Sequence, residues 1–252
     1  MARIIYTAIT NGYDVISPRN YYNPDVKYVC FTDGQTDVPG PWEVVKIDDW
    51  RHPRMNPHLY FDQGDQTIWI DGCYTLTKEL LTRVPPFAVL RHGSTFTYLD
   101  EMLEGYTCAF FSYDDALRFT LKLKDDGYEF KNYNSPQGTI IWRTINDEIK
   151  SFGEVWYEWS NMGINRDNIP FDVATQFTGV VPTYFKRKQC GIELGYFNKT
   201  GRRGKHPQLG DKKQYLRMKS FIDSLEIITG LSARLYVRYD EHDFYMRVYG
   251  II

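Results

Sequence analysis

No apolar run in this 252-residue chain approaches the roughly 18 residues that a membrane-spanning helix needs. A bilayer span is therefore not expected. Cysteine is scarce: Cys30, Cys73, Cys108 and Cys190 are all there are, and no two have the spacing of a metal pair or a redox CxxC. That excludes a disulfide framework and a zinc finger and points to a reducing compartment. Cys30 and Cys73 read as small buried hydrophobes beside strands. The first strand starts at Arg3, leaving no room for a signal peptide, so the expected location is cytoplasmic, or the host cytoplasm for a viral chain. There is no GxxxxGK loop to cradle phosphates, no internal repeat and no low-complexity tract.

What is present is an ordinary globular composition, 42% hydrophobic and 25% charged, with aromatics at 16% and twenty tyrosines. Tyrosine at this level suits clefts that stack sugars or bases, and equally suits strand and helix faces. The net charge of −2 hides an uneven distribution. Lys186 to Lys219 holds eleven Lys and Arg against two acids, a balance of +9 that leaves −11 on the rest of the chain. So basic a segment on an otherwise acidic protein points to an anionic partner; a solvated basic face is the plainer alternative.

The patterning predicts an α/β protein. Strands are expected at Ile4 to Ile9, Val26 to Phe31, Trp42 to Ile47, Thr67 to Ile70 and Phe87 to Arg91, with a strand-like run within Ser135 to Trp142. Helices are expected at Arg51 to Phe61, Thr77 to Val84, Thr97 to Glu104, Tyr113 to Asp125, Thr144 to Glu158, Phe171 to Phe177 and Tyr215 to Ile228. Leu235 to Val248 reads as a closing hairpin. Strands separated by crossovers favour a mainly parallel, twisted sheet with helices on both faces. The charge shift near Tyr184 divides residues 1–183, the α/β domain, from 184–252, a basic C-terminal region packed on it.

Thr67-Ile68-Trp69-Ile70-Asp71-Gly72 is the most informative run. A buried parallel strand that ends in an acid delivers a carboxylate to the sheet edge where α/β proteins bind ligands. Asp-Gly is also a turn signal in its own right, so Asp71 has two readings, ligand contact and turn.

The order of the pieces resembles the GT-A glycosyltransferases. More narrowly it is similar to a poorly characterised glycosyltransferase-like family that includes plant mucilage-related proteins and bacterial and viral members. The matching pieces are Tyr6-Thr7-Ala8-Ile9 with Gly12-Tyr13-Asp14, Tyr28 to Asp33, Arg51-His52-Pro53-Arg54 with Pro57-His58 and Phe61, Ile68 to Gly72, Arg91-His92, Tyr98 to Glu101, and Trp156-Tyr157-Glu158 with Arg166-Asp167. The family usually has lysine where Arg54 stands and Gln where Asn168 stands. The resemblance implies a GT-A-like fold and transfer of a sugar from a nucleotide-sugar donor, with a UDP-sugar expected.

It also implies a site. Thr7, Ala8 and Ile9 end the strand beside the donor nucleotide, and Tyr13 and Asp14 are placed to meet base or ribose. Asp33 is a second strand-end candidate, with an ordinary turn as its alternative. Arg51 and Arg54 are candidates for diphosphate oxygens, with a solvated helix face as the alternative, and Arg166 is a binding candidate towards the acceptor side. GT-A enzymes supply an Asp-x-Asp to a Mn2+ or Mg2+ ion; here only Asp71 is present, because position 73 is Cys. His206 is a further metal candidate. His92, Glu158 and Asp167 are the catalytic candidates on the sugar and acceptor side; Asp167, favoured over Glu158, is a general base if the reaction inverts and an orienting carboxylate if it retains. The basic stretch, interleaved with Tyr184, Phe185, Tyr196, Phe197 and Tyr215, suggests DNA as acceptor, through a hydroxymethylated base. A surface glycan or small-molecule acceptor is the alternative within the transferase class. A non-enzymatic nucleic-acid binder on an α/β scaffold is the alternative outside it.

Overall fold

The computed structural model describes residues 1–17, 19–76, 85–91, 97–185, 192–194, 212–239 and 244–251. Among them are eleven strands and six α-helices. The chain forms two compact units. The first contains Met1–Arg91, Pro136–Tyr157 and Thr178–Arg202, and the second contains His92–Ser135, Glu158–Phe177 and Arg203–Ile252.

The first unit is built on a seven-stranded sheet. Its strands are β1 (Arg3–Ile9), β2 (Lys27–Thr32), β3 (Glu43–Lys46), β4 (Gln66–Ile70), β6 (Phe87–Arg91), β7 (Pro136–Thr144) and β8 (Thr183–Phe185). They lie in the order β3-β2-β1-β4-β7-β6-β8. β1 is parallel to both β2 and β4, and β2 to β3. β7 runs antiparallel to both β4 and β6, while β6 and β8 are parallel. Six strands thus run one way and β7 alone opposes them. The fold is α/β on a mixed, mostly parallel sheet, as the patterning predicts, and is consistent with a Rossmann-like arrangement.

Strand alternation sorts the core onto two faces. Ile5, Ile9, Tyr28, Cys30, Ile68, Ile70, Ile140 and Trp142 form one apolar cluster, with Tyr22, Val26 and Val38 packed against it. The opposite face carries Tyr6, Phe31, Trp69 and Arg143. There α1 (Arg51–Met55) and α4 (Asp147–Ser160, through Tyr157 in this unit) dock. Phe152 sits 4.9 Å from Phe87 edge-on, and Tyr6 packs edge-on to Phe31, Phe61 and Trp69. Many of the aromatics are therefore core.

The second unit is helical with one hairpin. α2 (Tyr98–Thr107) and α3 (Tyr113–Asp125) each start on a full capping box, Thr97 with Asp100 and Ser112 with Asp115, which satisfies the free N–H groups of the first turn. α5 (Asn168–Thr178) follows, then α6 (Lys212–Thr229), which buries Met218, Phe221, Ile222 and Leu225. β10 (Ser232–Tyr239) and β11 (Phe244–Ile251) pair as the antiparallel hairpin the sequence predicts, with each end extended.

Several elements differ from expectation. The predicted helix over Arg51 to Phe61 is α1 followed by a single 3-10 turn, Pro57–Leu59. Asn56 between them has φ −114° and ψ 57°, as the residue before a proline avoids helical geometry. α4 begins at Asp147, not Thr144. Thr144 completes β7, and the Asn146 side chain takes the Ile149 N–H at 2.8 Å to start the helix. β5 (Tyr74–Leu76), β8 and β9 (Ile192–Leu194) were not foreseen. Each has three residues, too few for a pattern, and β5 pairs with β9 from far along the chain. The expected helix Thr77 to Val84 lies outside the described residues. So do Lys186–Gly191 and Gly195–Asp211, the larger part of the basic stretch.

Candidate functional site

The topology creates one distinguished edge. From β1 the chain moves outward to β2 and β3, then returns to form β4 on the other side of β1. This is a topological switch point, and in open α/β sheets the crevice for ligands lies there, outside the carboxyl ends of the strands. The residues following β1 and β4 are Thr10 to Asp14 and Asp71 to Cys73.

The β1 exit is a tight turn. Asn11 and Gly12 have φ of 56° and 57°, and Asn and Gly are the residues that enter this region most readily. The Asp33 carboxylate, at the end of β2, holds the turn. It accepts the Asn11 N–H and, with its other oxygen, the Gln35 N–H at 3.0 Å. These bonds hold its carboxyl below the usual range. Asp33 thus ties the exits of β1 and β2 together. The turn delivers Tyr13, 54% exposed, and Asp14, 7% exposed, to the edge.

At the β4 exit, Asp71 opens a turn closed by the Tyr74 N–H to the Asp71 carbonyl at 3.1 Å. The turn that Asp-Gly signals is therefore present in the Asp71 backbone. The Trp69 indole N–H donates to Asp71 Oδ1 at 2.9 Å, and the Asp71 N–H donates to the Thr139 carbonyl. Gly72 is required by close approach. A Cβ there would meet Ile9 Cδ1 at 2.8 Å and Asp14 Cβ at 3.0 Å, so the two exits press against each other at this residue. Cys73, read from sequence as buried, is partly exposed.

Asp14 and Asp71 feel one another. Burial pushes the Asp14 carboxyl up to about 6, the Asp71 charge adds to the rise, and the Cys73 N–H bonded to it opposes. Tyr13 is raised by burial and by Asp14, Cys73 and Asp71. Four side chains from two strand exits thus form one electrostatic group.

Thr7 and Ile9 are buried in β1, with Ala8 half-buried between them. Arg51 lies on the surface turn of α1, its guanidinium 4.8 Å from the centre of the Trp50 ring. Arg54 is 5% exposed. It donates to the Gly138 carbonyl at 2.8 Å and lies against the rings of Trp50, Trp69 and Trp156. Gly138 adjoins Thr139, which anchors Asp71. Arg54 therefore braces the strand ends from behind.

In the second unit, Arg166 donates through Nε to Glu101 at 2.7 Å and pairs with Glu104 at 2.9 Å. Glu101, wholly buried, also accepts from Asn168 at 3.1 Å and Ser135 at 3.2 Å. Glu158 is exposed on the last turn of α4. The Asp167 carbonyl accepts the Phe171 N–H at 3.0 Å to open α5. His92 and His206 lie outside the described residues. Among the described residues no three or more His, Cys, Asp or Glu gather as a metal site, and no helix is long and apolar enough to cross a membrane.

The chain matches no family model and no curated protein.

Sequence reasoning placed Tyr13 and Asp71 at this edge but missed the coupling of Asp14 to Asp71 and the tie from Asp33. The signal was available in Gly72: a glycine directly after a strand-end acid marks a backbone that something approaches closely.

Proposed function

We propose that the protein is a glycosyltransferase of GT-A type that binds a nucleotide sugar, a UDP-sugar foremost, at the carboxyl edge of β1 and β4. The observation that carries this reading is the position of Tyr13, Asp14 and Asp71 on the two sides of the sheet's switch point. Tyr13 offers an exposed ring for a base to stack on. The strand exits offer backbone groups and polar side chains to ribose and phosphate. Oxygen-only donors of this kind suit Mg2+ or Mn2+. A cation held at Asp71 would supply charge neutralisation for the leaving diphosphate. The open hollow around Ala2, Arg3, Pro24 and Lys27 lies at the opposite ends of β1 and β2 and has no part in this reading.

The acceptor we propose is a hydroxymethylated base in DNA. What supports it is the +9 balance of Lys186 to Lys219 with its interleaved aromatics, since phosphate neutralisation and base stacking are the two terms of single-strand recognition.

The test is to incubate the protein with a panel of nucleotide sugars and either plain or hydroxymethylated DNA, and to weigh the DNA. A sugar-sized mass gain on hydroxymethylated DNA alone is the expected result. No gain on any DNA removes the acceptor. Absence of both nucleotide-sugar hydrolysis and stabilisation by UDP removes the transferase reading.

A further inference from the structure

We infer that Arg143 holds a small monovalent anion of the chloride type, enclosed between the sheet and the helices docked on that face. The inference is independent of the transferase reading. Arg143 lies opposite Thr67, near the start of β4, whereas the edge that carries Asp71 follows the end of that strand.

Arg143 is 2% exposed. Its Nη2 donates to the Tyr6 hydroxyl, and its guanidinium carbon lies 5.9 Å from the centre of the Tyr6 ring. Nε and Nη1 are buried and have no hydrogen-bond partner. Among the described residues no carboxylate pairs with it, and the groups whose charge it feels are Tyr6 and Arg54. An arginine keeps its proton in a protein interior, so a full positive charge is buried here with two donors open. Tyr6 does not balance it. Burial pushes that phenol up to about 12, against the pull of Arg143 and Arg54, so it stays neutral. Burial also works against the Arg143 charge, and the like charge of Arg54 adds to the strain on it.

A second buried group without a hydrogen bond belongs to the same corner. His58, on the 3-10 turn after α1, has both ring nitrogens buried and unbonded. Burial lowers its basicity, Glu154 of α4 opposes, and Lys150 and Arg143 add to the lowering. Glu154 stops 3.8 Å from His58 Nε2 and makes no pair with Arg143. A water would accept the open hydrogen bonds yet leave the charge uncompensated, and an unpaired buried charge is costly. An anion does both. One negative charge matches one guanidinium, and the closed setting under α1 and α4 favours a single-atom ion over a polyatomic one.

The experiment uses the full chain, exchanged into sodium gluconate, with sodium chloride as the probe. Bound chloride is counted by equilibrium dialysis with radiochloride. Melting temperature is followed as chloride replaces gluconate at constant ionic strength. Wild-type protein is expected to hold about one chloride per chain, to give it up to bromide, and to melt higher in a saturable way as chloride rises. Arg143→Met keeps an unbranched chain and removes the charge. It is expected to bind chloride at least about thirtyfold more weakly and to melt at the same temperature in both salts. Arg143→Lys keeps the charge but not the planar set of donors. It is expected to melt higher with chloride yet bind it more weakly than wild type does. No bound chloride on wild-type protein, with equal melting in the two salts, overturns the inference and leaves water at Arg143. A chloride response that survives in Arg143→Met belongs to surface cations and overturns it as well. Wild-type affinity in Arg143→Lys overturns it even if Arg143→Met does not fold.

Discussion

Glu101 shows how a single buried acid serves a structural end. Its side chain is wholly buried and accepts from Arg166, Asn168 and Ser135, so it joins the start of α2 to the segments before β7 and α5. Replacing a buried charge that has such partners leaves the guanidinium poorly matched. Glu101→Gln is expected to cost about 3 kcal/mol, somewhat softened by Glu104, and the shift of the urea midpoint measures it. Asp100, its neighbour, yields a pH prediction. Burial pushes its carboxyl from 3.8 up to about 6, against the hydrogen bonds from Thr97. A folded-state value above the unfolded one means that stability is full below about pH 4 and is lost as pH rises through about 6. Asp14 shifts the same way, so the wild-type slope over this window is composite. The difference between wild type and Asp100→Asn isolates one part: the variant should lose less stability from pH 4 to 6, read by denaturant titration at each pH. Neither role was legible in the sequence, where Glu101 and Asp100 are ordinary acids of a helix start. Arg166 likewise read as an anion contact, because a sequence shows a cation but not the two glutamates that engage it. Asp71 was legible as the residue that closes β4, because an apolar run stopping at Asp-Gly marks both the strand end and the turn after it.

At the scale of elements, long periodic segments could be read and short non-local ones could not. β1, β4, β6 and α3 stand within a residue of expectation, since alternation and capping are local signals. β5 and β9, three residues each, owe their existence to one another across the chain, and no local pattern announces that. The break between α1 and the 3-10 turn was partly readable from Pro57. The seat of α4 depends on Gly153. A Cβ there would intrude on the Met55 carbonyl oxygen and come within 3.2 Å of its carbon. Backbone atoms do not rotate aside, so Gly153→Ala should push α4 off α1. Alanine favours the helix by about 1 kcal/mol, yet the overpacking outweighs it, and a net loss of about 2 kcal/mol is expected. Gly105→Ala is the comparison. Its Cβ would meet the Phe111 ring, a side chain with rotamers to try, so the loss should be smaller. Thermal unfolding of the two variants side by side checks the ranking.

For the whole molecule, the path of the chain matters more than any boundary along it. Each compact unit gathers three separate stretches of sequence, an organisation that composition cannot reveal because charge and hydropathy change along the chain rather than in space. The basic shift near Tyr184 was the strongest signal for a division. α6, beyond it, is nonetheless integral to the core of the second unit. Phe221 is fully buried and stacks on Tyr106 at 4.3 Å, and the Tyr113 and Ser224 hydroxyls share a hydrogen bond of 2.7 Å. Met218, Ile222 and Leu225 are buried beside it. Removing four such side chains exposes several hundred Å² of apolar surface, worth on the order of 5 to 10 kcal/mol by the usual side-chain values, which matches the whole stability of a typical domain. A chain ending at Thr183 is therefore expected to lose the second unit. The measurement is limited proteolysis followed by mass mapping. Cuts should appear throughout residues 97–132 in the shortened chain, where α2 and α3 lie, while the full chain protects them. Protection of α2 and α3 in the absence of α6 would show that these helices find their core elsewhere.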